Sequence, residues 1–399
     1  MYLTLKLSAA LLIVMLCWNA GAADMRVQAP QSKKPSIPQP GVTANSITIG
    51  SLAPLTGDNA DTGNAVKAVL TAYFDDLNQH GGIYGRRIVL RFAESGDSSA
   101  ATLKNAKRLA ATPVFAMVAP FVPDAEQKLA AVAQASKIPL VGLLALSIPN
   151  EPVNREVFYL LPGFQQLEQE LVRFAATGKT AEKTAVVVAD SKLQTDVAPA
   201  MQTTWKELSV DKPQEFVFSA AKGAGVIQDL HNQGIERVFF IGDGEQLAPW
   251  IQAADKAEWA PRVFVLGPLL DESILGAPAR FQGRIFAAYP QLQPEVGAVD
   301  EFDYFLSSHN LASDHRLVQI SAYCAAKILV EALARAGKNV TREKLIQTLE
   351  QMRDFRTGLL PGITFGANRR VGSFKAEIVC VDLASHSFQP ECSKTAKPE

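Results

Sequence analysis

Cysteine and histidine are scarce in this chain, and neither sign of charge prevails. Its 399 residues include four cysteines, five histidines, 39 Lys plus Arg and 40 Asp plus Glu, for a net charge of −1. So few cysteines exclude a small disulfide scaffold. No basic excess or stripe is present to hold a nucleic-acid backbone, which excludes that class of partner. Histidines 80, 231, 309, 315 and 386 show no H-E-x-x-H and no metal-ligand spacing, so no metal or other cofactor is implied. No G-x-S-x-G elbow or Walker loop occurs. The string Ile241-Gly-Asp-Gly-Glu-Gln246 lacks the third glycine and the ribose-binding acid of a dinucleotide site, and reads as a plain strand-to-helix turn. The acid pairs Asp271-Glu272 and Asp300-Glu301 fall in loops or helix starts, where the helix dipole accounts for them. Nothing here points to an enzyme.

Long apolar runs are also missing, except at the start. Lys6 precedes an apolar core from Leu7 to Trp18, and Ala20-Gly21-Ala22 supplies a cleavage site, the pattern of a signal peptide over 1–23. The run is too short to span a bilayer, so no stable membrane insertion is expected. Cys17 follows Leu16, where a lipoprotein needs a small residue, so lipidation is not expected. The address implied is the periplasm. Residues 24–45, with four prolines and no apolar register, read as a disordered linker, and 391–399 as a loose tail.

Export permits disulfides. Cys324 sits in an apolar helical run and reads as a buried thiol. Cys380 and Cys392 flank Ala384-Ser385-His386 symmetrically, so a hairpin turning at His386 places them opposite each other. A bridge between them is expected to add ~2–3 kcal/mol, the alternative being two free thiols.

The length suggests two domains. Apolar runs such as 47–52, 88–92, 115–119, 138–144, 157–161, 184–189, 215–219, 237–242, 262–267 and 284–289 alternate with helical patterns. Among the latter are 66–77, 124–135, 165–176, 199–208 and 225–233. Strand, helix, strand in this order makes parallel sheets with helices on both faces, and places ligands beyond the strands' carboxyl ends. Later come helices over 317–336 and from Thr341, then a block of strands and turns over 358–390.

One stretch is more specific. Leu55-Thr56-Gly57, Gly63, an amphipathic helix and then Asn78, Gly81-Gly82, Ile83 and Gly85 resemble the opening of the type I periplasmic binding proteins, especially the branched-chain amino acid (Leu/Ile/Val)-binding family. The resemblance extends more thinly over the chain after residue 45. It implies two doubly wound (Rossmann-like) parallel-sheet lobes joined by three hinge crossings, a Venus-flytrap arrangement. Lobe one would be 46–157 plus 290–357, and lobe two 158–284 plus 363–390. It also implies a small-molecule ligand and delivery to an ABC permease or membrane receptor.

In that family, hydroxyls and backbone N–H groups of lobe one hold an amino acid's carboxylate, while an acid of lobe two holds its ammonium. Here those places depart from the pattern. Val122, Pro123 and Asp124 stand where a serine-rich turn is usual, and Leu146 followed by Ser147 where a threonine is usual. Leu160 or Leu161 takes an arginine-type position, Gln194-Thr195 replaces Tyr-Gly, and Leu269 aligns with the ammonium-binding acid, Asp271 lying two residues on. One reading is a pocket rebuilt for a ligand without an amino-acid head. Leu146, Leu160, Phe164, Leu269 and Leu270 then form an apolar wall, with Thr62, Ser147, Gln194, Asp243 and Glu245 orienting the ligand. The other is a ligand-free module for protein interaction. Each residue also has a bland role: Leu146 and Leu269 as core, Pro123 and Asp124 as a helix start, Gln194 as a solvated loop residue.

Overall fold

The computed structural model describes residues 39–145, 147–148, 154–177, 182–219 and 223–389. The signal peptide, Leu146, Cys392 and the tail lie outside these residues, as does the linker up to residue 38. The end of the expected linker is ordered. Thr48 N–H donates to the Gly41 carbonyl at 2.8 Å, and Gly41, at φ 78°, lies so close to the Phe115 backbone that no side chain fits.

Alternating apolar residues build a first sheet of five strands: β1 (Ser46–Ala53), β2 (Arg87–Glu94), β3 (Ala116–Val118), β4 (Leu140–Val141) and β5 (Val157–Phe158). They run parallel in the order β2-β1-β3-β4-β5. Period-two alternation sends Ile47 and Ile49 to one face and Leu52 to the other. On the first face pack α1 (Ala60–Gln79), through Val66, Val69 and Leu70, and the helix expected over 317–336 (Arg316–Ala336). That helix is long and apolar enough to cross a membrane by composition, yet most of its apolar window is buried in this core. On the second face pack α2 (Ser99–Ala110) and α3 (Glu126–Ser136).

The second sheet repeats the design. After α4 (Phe164–Ala176) come β6 (Thr184–Val188), α5 (Ser191–Glu207), β7 (Gln214–Val217), α6 (Gly223–Asn232), β8 (Arg237–Ile241), α7 (Gly244–Lys256), β9 (Arg262–Leu266) and β10 (Ile285–Pro290). Their order, β7-β6-β8-β9-β10, copies the first sheet, and β11 (Ala376–Asp382) and β12 (Ser387–Gln389) extend it antiparallel. Helices α6 and α7 cover one face through Leu230 and Trp250, and α4 and α5 the other through Leu171 and Trp205. Both sheets are therefore doubly wound, each with a switch point beside its first strand. The last three helices, α8 (Ala298–Ser308), α9 (Arg316–Ala336) and α10 (Arg342–Glu350), pack on the first sheet, and Thr341 caps α10 as the sequence suggests.

Three segments connect the sheets and are laced together. Tyr159 N–H donates to Arg370 O at 2.8 Å, Ser373 N–H to Leu160 O at 3.0 Å, and Gln291 N–H to Lys375 O at 3.0 Å. Buried Arg370 lies over the Phe158 ring, 4.5 Å from its centroid, and pairs with Glu350 at 2.7 Å.

Three details differ from the sequence reading. Helix α5 begins at Ser191 rather than Pro199, because Asp190 accepts from Lys192 and Leu193 N–H and caps it; Pro199 sits inside. Ile363, Phe365 and Val371, expected with the second lobe, pack into the cores of the first sheet, held by the Phe355–Ile363 and Tyr159–Val371 bridges. The β11–β12 hairpin turns early, so Cys380 faces Gln389. Cys380 is disulfide-bonded, and Cys324 is free and buried.

Candidate ligand-binding site

At the switch point of the first sheet, the loops after β1, β2 and β3 converge. Glu94, at the end of β2, ties the first two together: its carboxylate accepts from Leu55 N–H at 2.9 Å and Gly96 N–H at 2.7 Å. Gly63 lets α1 press on the first loop, since a Cβ there would overlap the Pro54 carbonyl oxygen. The loops enclose a cavity of about 420 Å³. Thr56, Asp58 and Asn59 line it from the first loop, Ser95, Asp97 and Ser98 from the second, and Pro123 and Asp124 from the third. Thr102 of α2 lines it from below, 3% exposed. No lysine or arginine is among the lining residues.

The third loop reaches the second lobe. Asp124 takes a left-handed φ of 61°, which aspartate tolerates better than most residues, and turns the chain into α3. Its carboxylate meets Lys192 Nζ, at the start of α5, at 2.7 Å, with both side chains largely in solvent. Behind it, burial pushes the Glu126 carboxyl up, reinforced by Asp124 and opposed by Lys192. Burial, helped by Glu126, also pushes the Tyr159 phenol up to about 12.

The facing edge of the second lobe is closed on itself. Asp190 caps α5, and Asp243 caps α7 in a reciprocal box with Gln246 (2.9 and 3.1 Å). Asp271 accepts from Ser273 N–H at 2.8 Å and caps a short 3-10 turn. It lies against Gly244, where a Cβ would fall 2.6 Å from its Oδ2. Asp271 is thus a local cap, and the turn before it carries half-buried Leu269 packed against the sheet core.

Of the residues singled out from sequence, Pro123 and Asp124 line the cavity. Thr62 lies one turn into α1, its hydroxyl 3.3 Å from His315 Nδ1. Ser147 is half-buried in the loop after β4. Asp243 and Glu245 stand at the start of α7, the first as its cap. Others turn elsewhere. Val122 is 1% exposed and packs with Leu129 and Leu143, because it carries the apolar register of β3 onward. Phe164 and Leu160 are buried in the cores, since both sit where the first crossing docks. Gln194 Nε2 donates to Glu215 of the edge strand β7 at 2.9 Å, away from the cavity. Of the described residues of the expected apolar wall, Leu160 and Phe164 are thus core, while Leu269 and Leu270 are half-buried against the cores of the second sheet. Sequence reading passed over Glu94, Ser95, Asp97, Ser98, Thr102 and Lys192. The string Glu94-Ser-Gly-Asp-Ser-Ser99 between an apolar strand and a helix was the available signal: a glycine turn followed by an N-cap. Among the described residues, no group of three or more His, Cys, Asp or Glu side chains is arranged to hold a metal ion.

The sequence family described as periplasmic binding protein matches residues 46–383, nearly the whole ordered chain. The chain belongs to that family. The comparison with curated proteins returned no match. Among solved structures, this binding protein resembles a branched-chain amino acid ABC transporter from Thermus thermophilus with bound valine (TM-score 0.70, 16% identity, covering 87% of this chain and 96% of that one). It also resembles a substrate-binding periplasmic protein from Ralstonia solanacearum (0.63, 23%, 84% and 98%). A third is a fatty acid ABC transporter substrate-binding protein from Thermomonospora curvata (0.67, 17%, 87% and 91%). At these identities the likeness establishes the fold of the binding protein, and its ligand must be argued from its own residues.

Proposed function

We propose that this protein is an exported, periplasmic solute-binding protein that captures a small organic ligand, other than a zwitterionic amino acid, between its two lobes. It then presents the closed form to an ABC permease or a membrane receptor. Catalysis forms no part of the proposal. In this reading lobe one comprises 46–157 plus about 290–372, and lobe two 158–284 plus about 373–389, the packing of Ile363, Phe365 and Val371 on the first sheet supporting the shifted boundary. Ligand closes the lobes in proportion to its preference for the closed form.

The observation that carries this reading is the cavity at the first switch point, facing a second lobe in which the position aligned with the ammonium-binding acid is a leucine and Glu272 stands on the exposed turn beyond it. Leu269 is packed there and Asp271 is occupied as a cap. A zwitterion moved out of water needs a partner for each end, and an unmatched buried charge costs several kcal/mol. Structural relatives described with bound valine, and as serving a fatty acid transporter, support a small organic ligand in general.

A thermal-shift titration against amino acids, amines, organic acids, amides, aromatics and sugars tests it. One class should raise the melting temperature progressively with concentration, by about 2.7 kcal/mol of stabilisation at a hundred times Kd. Submicromolar binding of leucine or valine would contradict the exclusion of amino acids. Silence across every class would favour a ligand-free interaction module instead.

A further inference from the structure

Lobe one presents the wrong charge for an amino acid's carboxylate. Asp58, Asp97 and Asp124 all line its cavity, with no lysine or arginine among the lining residues. Asp124 is answered by Lys192 at the rim. Asp58 and Asp97 have no such answer. They lie close to the starts of α1 and α2, where an acid often serves as a cap, yet neither does so. Ser98 caps α2, accepting from Ala101 N–H at 3.3 Å, and α1 has no side-chain cap at all. Both residues are exposed and line the cavity, and neither carboxylate has a hydrogen bond among the described residues.

A second feature points the same way. Thr102 is 97% buried as a residue, lines the cavity, and its hydroxyl makes no hydrogen bond among the described residues. A threonine at this depth in a helix ordinarily bonds the carbonyl one turn back; here the Ser98 carbonyl receives only the Thr102 backbone N–H at 2.8 Å. The hydroxyl oxygen keeps accessible surface on this otherwise buried residue, so it is free to bond a molecule in the cavity. The positive end of α1, which would otherwise favour an anion, already has Asp58 and Asp61 beside it.

We propose that this cavity is a subsite for an organic cation, a protonated amine or related nitrogen base without a carboxylate, held by Asp58 and Asp97 with the Thr102 hydroxyl beneath. The proposal rests on the solute-binding reading and names its ligand class. The cavity volume suits a molecule of modest size. Among the described residues these carboxylates belong to no group of three or more metal-ligating side chains, which favours an organic cation.

Matched probes decide it: benzylamine with benzoate, agmatine and spermidine with dicarboxylates of similar length, choline, and the neutral polyols xylitol and glucose. Each is titrated calorimetrically into the full exported protein, the Asp58→Asn and Asp97→Asn variants, and the double variant. Cations should bind while their carboxylate counterparts do not. Each single variant should weaken binding roughly tenfold, the scale of a charge-assisted hydrogen bond. Thr102→Val should weaken it less, and raising salt should weaken the parent more than the double variant. Binding of carboxylates or polyols without cations, or cation binding unchanged in the double variant, would overturn the cation subsite and leave the solute-binding reading standing. No binding by any probe or by the broader thermal-shift panel would overturn both. Circular dichroism melts of the variants exclude misfolding as the cause of a loss.

Discussion

The two lobes share one strand order and finish it differently. In lobe two, Asp190 and Asp243 cap the helices that face the cleft, and Asp271 caps the following turn, so the backbone donors there are largely spent on the lobe itself. In lobe one, the cap positions Asn59 of α1 and Ala125 of α3 supply no side-chain hydrogen bond, and of the three helices that follow β1, β2 and β3 only α2 is capped, by Ser98. Four backbone N–H groups at a helix start need partners. Lobe two meets several of them with capping carboxylates, whereas α1 and α3 of lobe one have no capping side chain. Identical topology thus yields a finished edge and an open one, and the open edge is where the cavity lies.

The glycines beneath the two edges give the largest expected contrast. Gly63→Ala drives a methyl into the Pro54 backbone carbonyl, which cannot yield alone, and should cost roughly 2–3 kcal/mol in urea unfolding along with ligand binding. Gly244→Ala meets mainly the Asp271 carboxylate, which can swing away, and should stay within about 1 kcal/mol. Equal losses would break the comparison.

Lobe two is not self-sufficient everywhere, and α4 holds a buried acid. Glu168 of α4 is 2% exposed, and burial raises its carboxyl from the ordinary 4.5 to about 8. Between those values the native state holds a proton that the unfolded chain has released. Its contribution is therefore full below the lower value and is lost as pH rises through the upper one. Glu168→Gln should flatten this decline and stabilise the protein at about pH 9 by roughly 1–3 kcal/mol, read from urea melts across pH. A parallel pH dependence in parent and variant would show that the carboxyl is not held neutral.

Smaller effects follow at the caps. Asp243→Ala should cost about 1 kcal/mol and Asn59→Ala no more than about 0.5 kcal/mol, because only the first removes a capping bond. Smallest is the contact between the edges. The Asp124–Lys192 pair is 75% and 73% exposed at its side chains, so Lys192→Ala should shift lobe closure by under about 1 kcal/mol and only at low salt, by small-angle scattering.

Much of this architecture was legible in the sequence because it is local. Continuous apolar runs at Thr184–Val188 and Arg237–Ile241 and the helical face of Val66, Val69 and Leu70 lie where the pattern put them. The reading failed where distant partners decide. Pro199 looked like a helix start, but Asp190 caps the helix a turn and more earlier. Val122 and Phe164 were expected at the pocket, since an apolar residue just after a strand or at a helix start carries no mark of which neighbour will cover it. Gln194 turns to Glu215, a pairing from helix α5 to strand β7 that no local spacing encodes. Asp97 and Thr102 were missed because a loop acid and a helical threonine acquire meaning only when three loops meet.

Hydrogen exchange with and without a saturating ligand tests the open-edge account most directly. Slowed exchange concentrated in peptides covering 54–63 and 95–102, well beyond any change at 190–194 and 243–247, is the predicted result. Protection confined to the lobe-two segments, with lobe one unaltered, would contradict it.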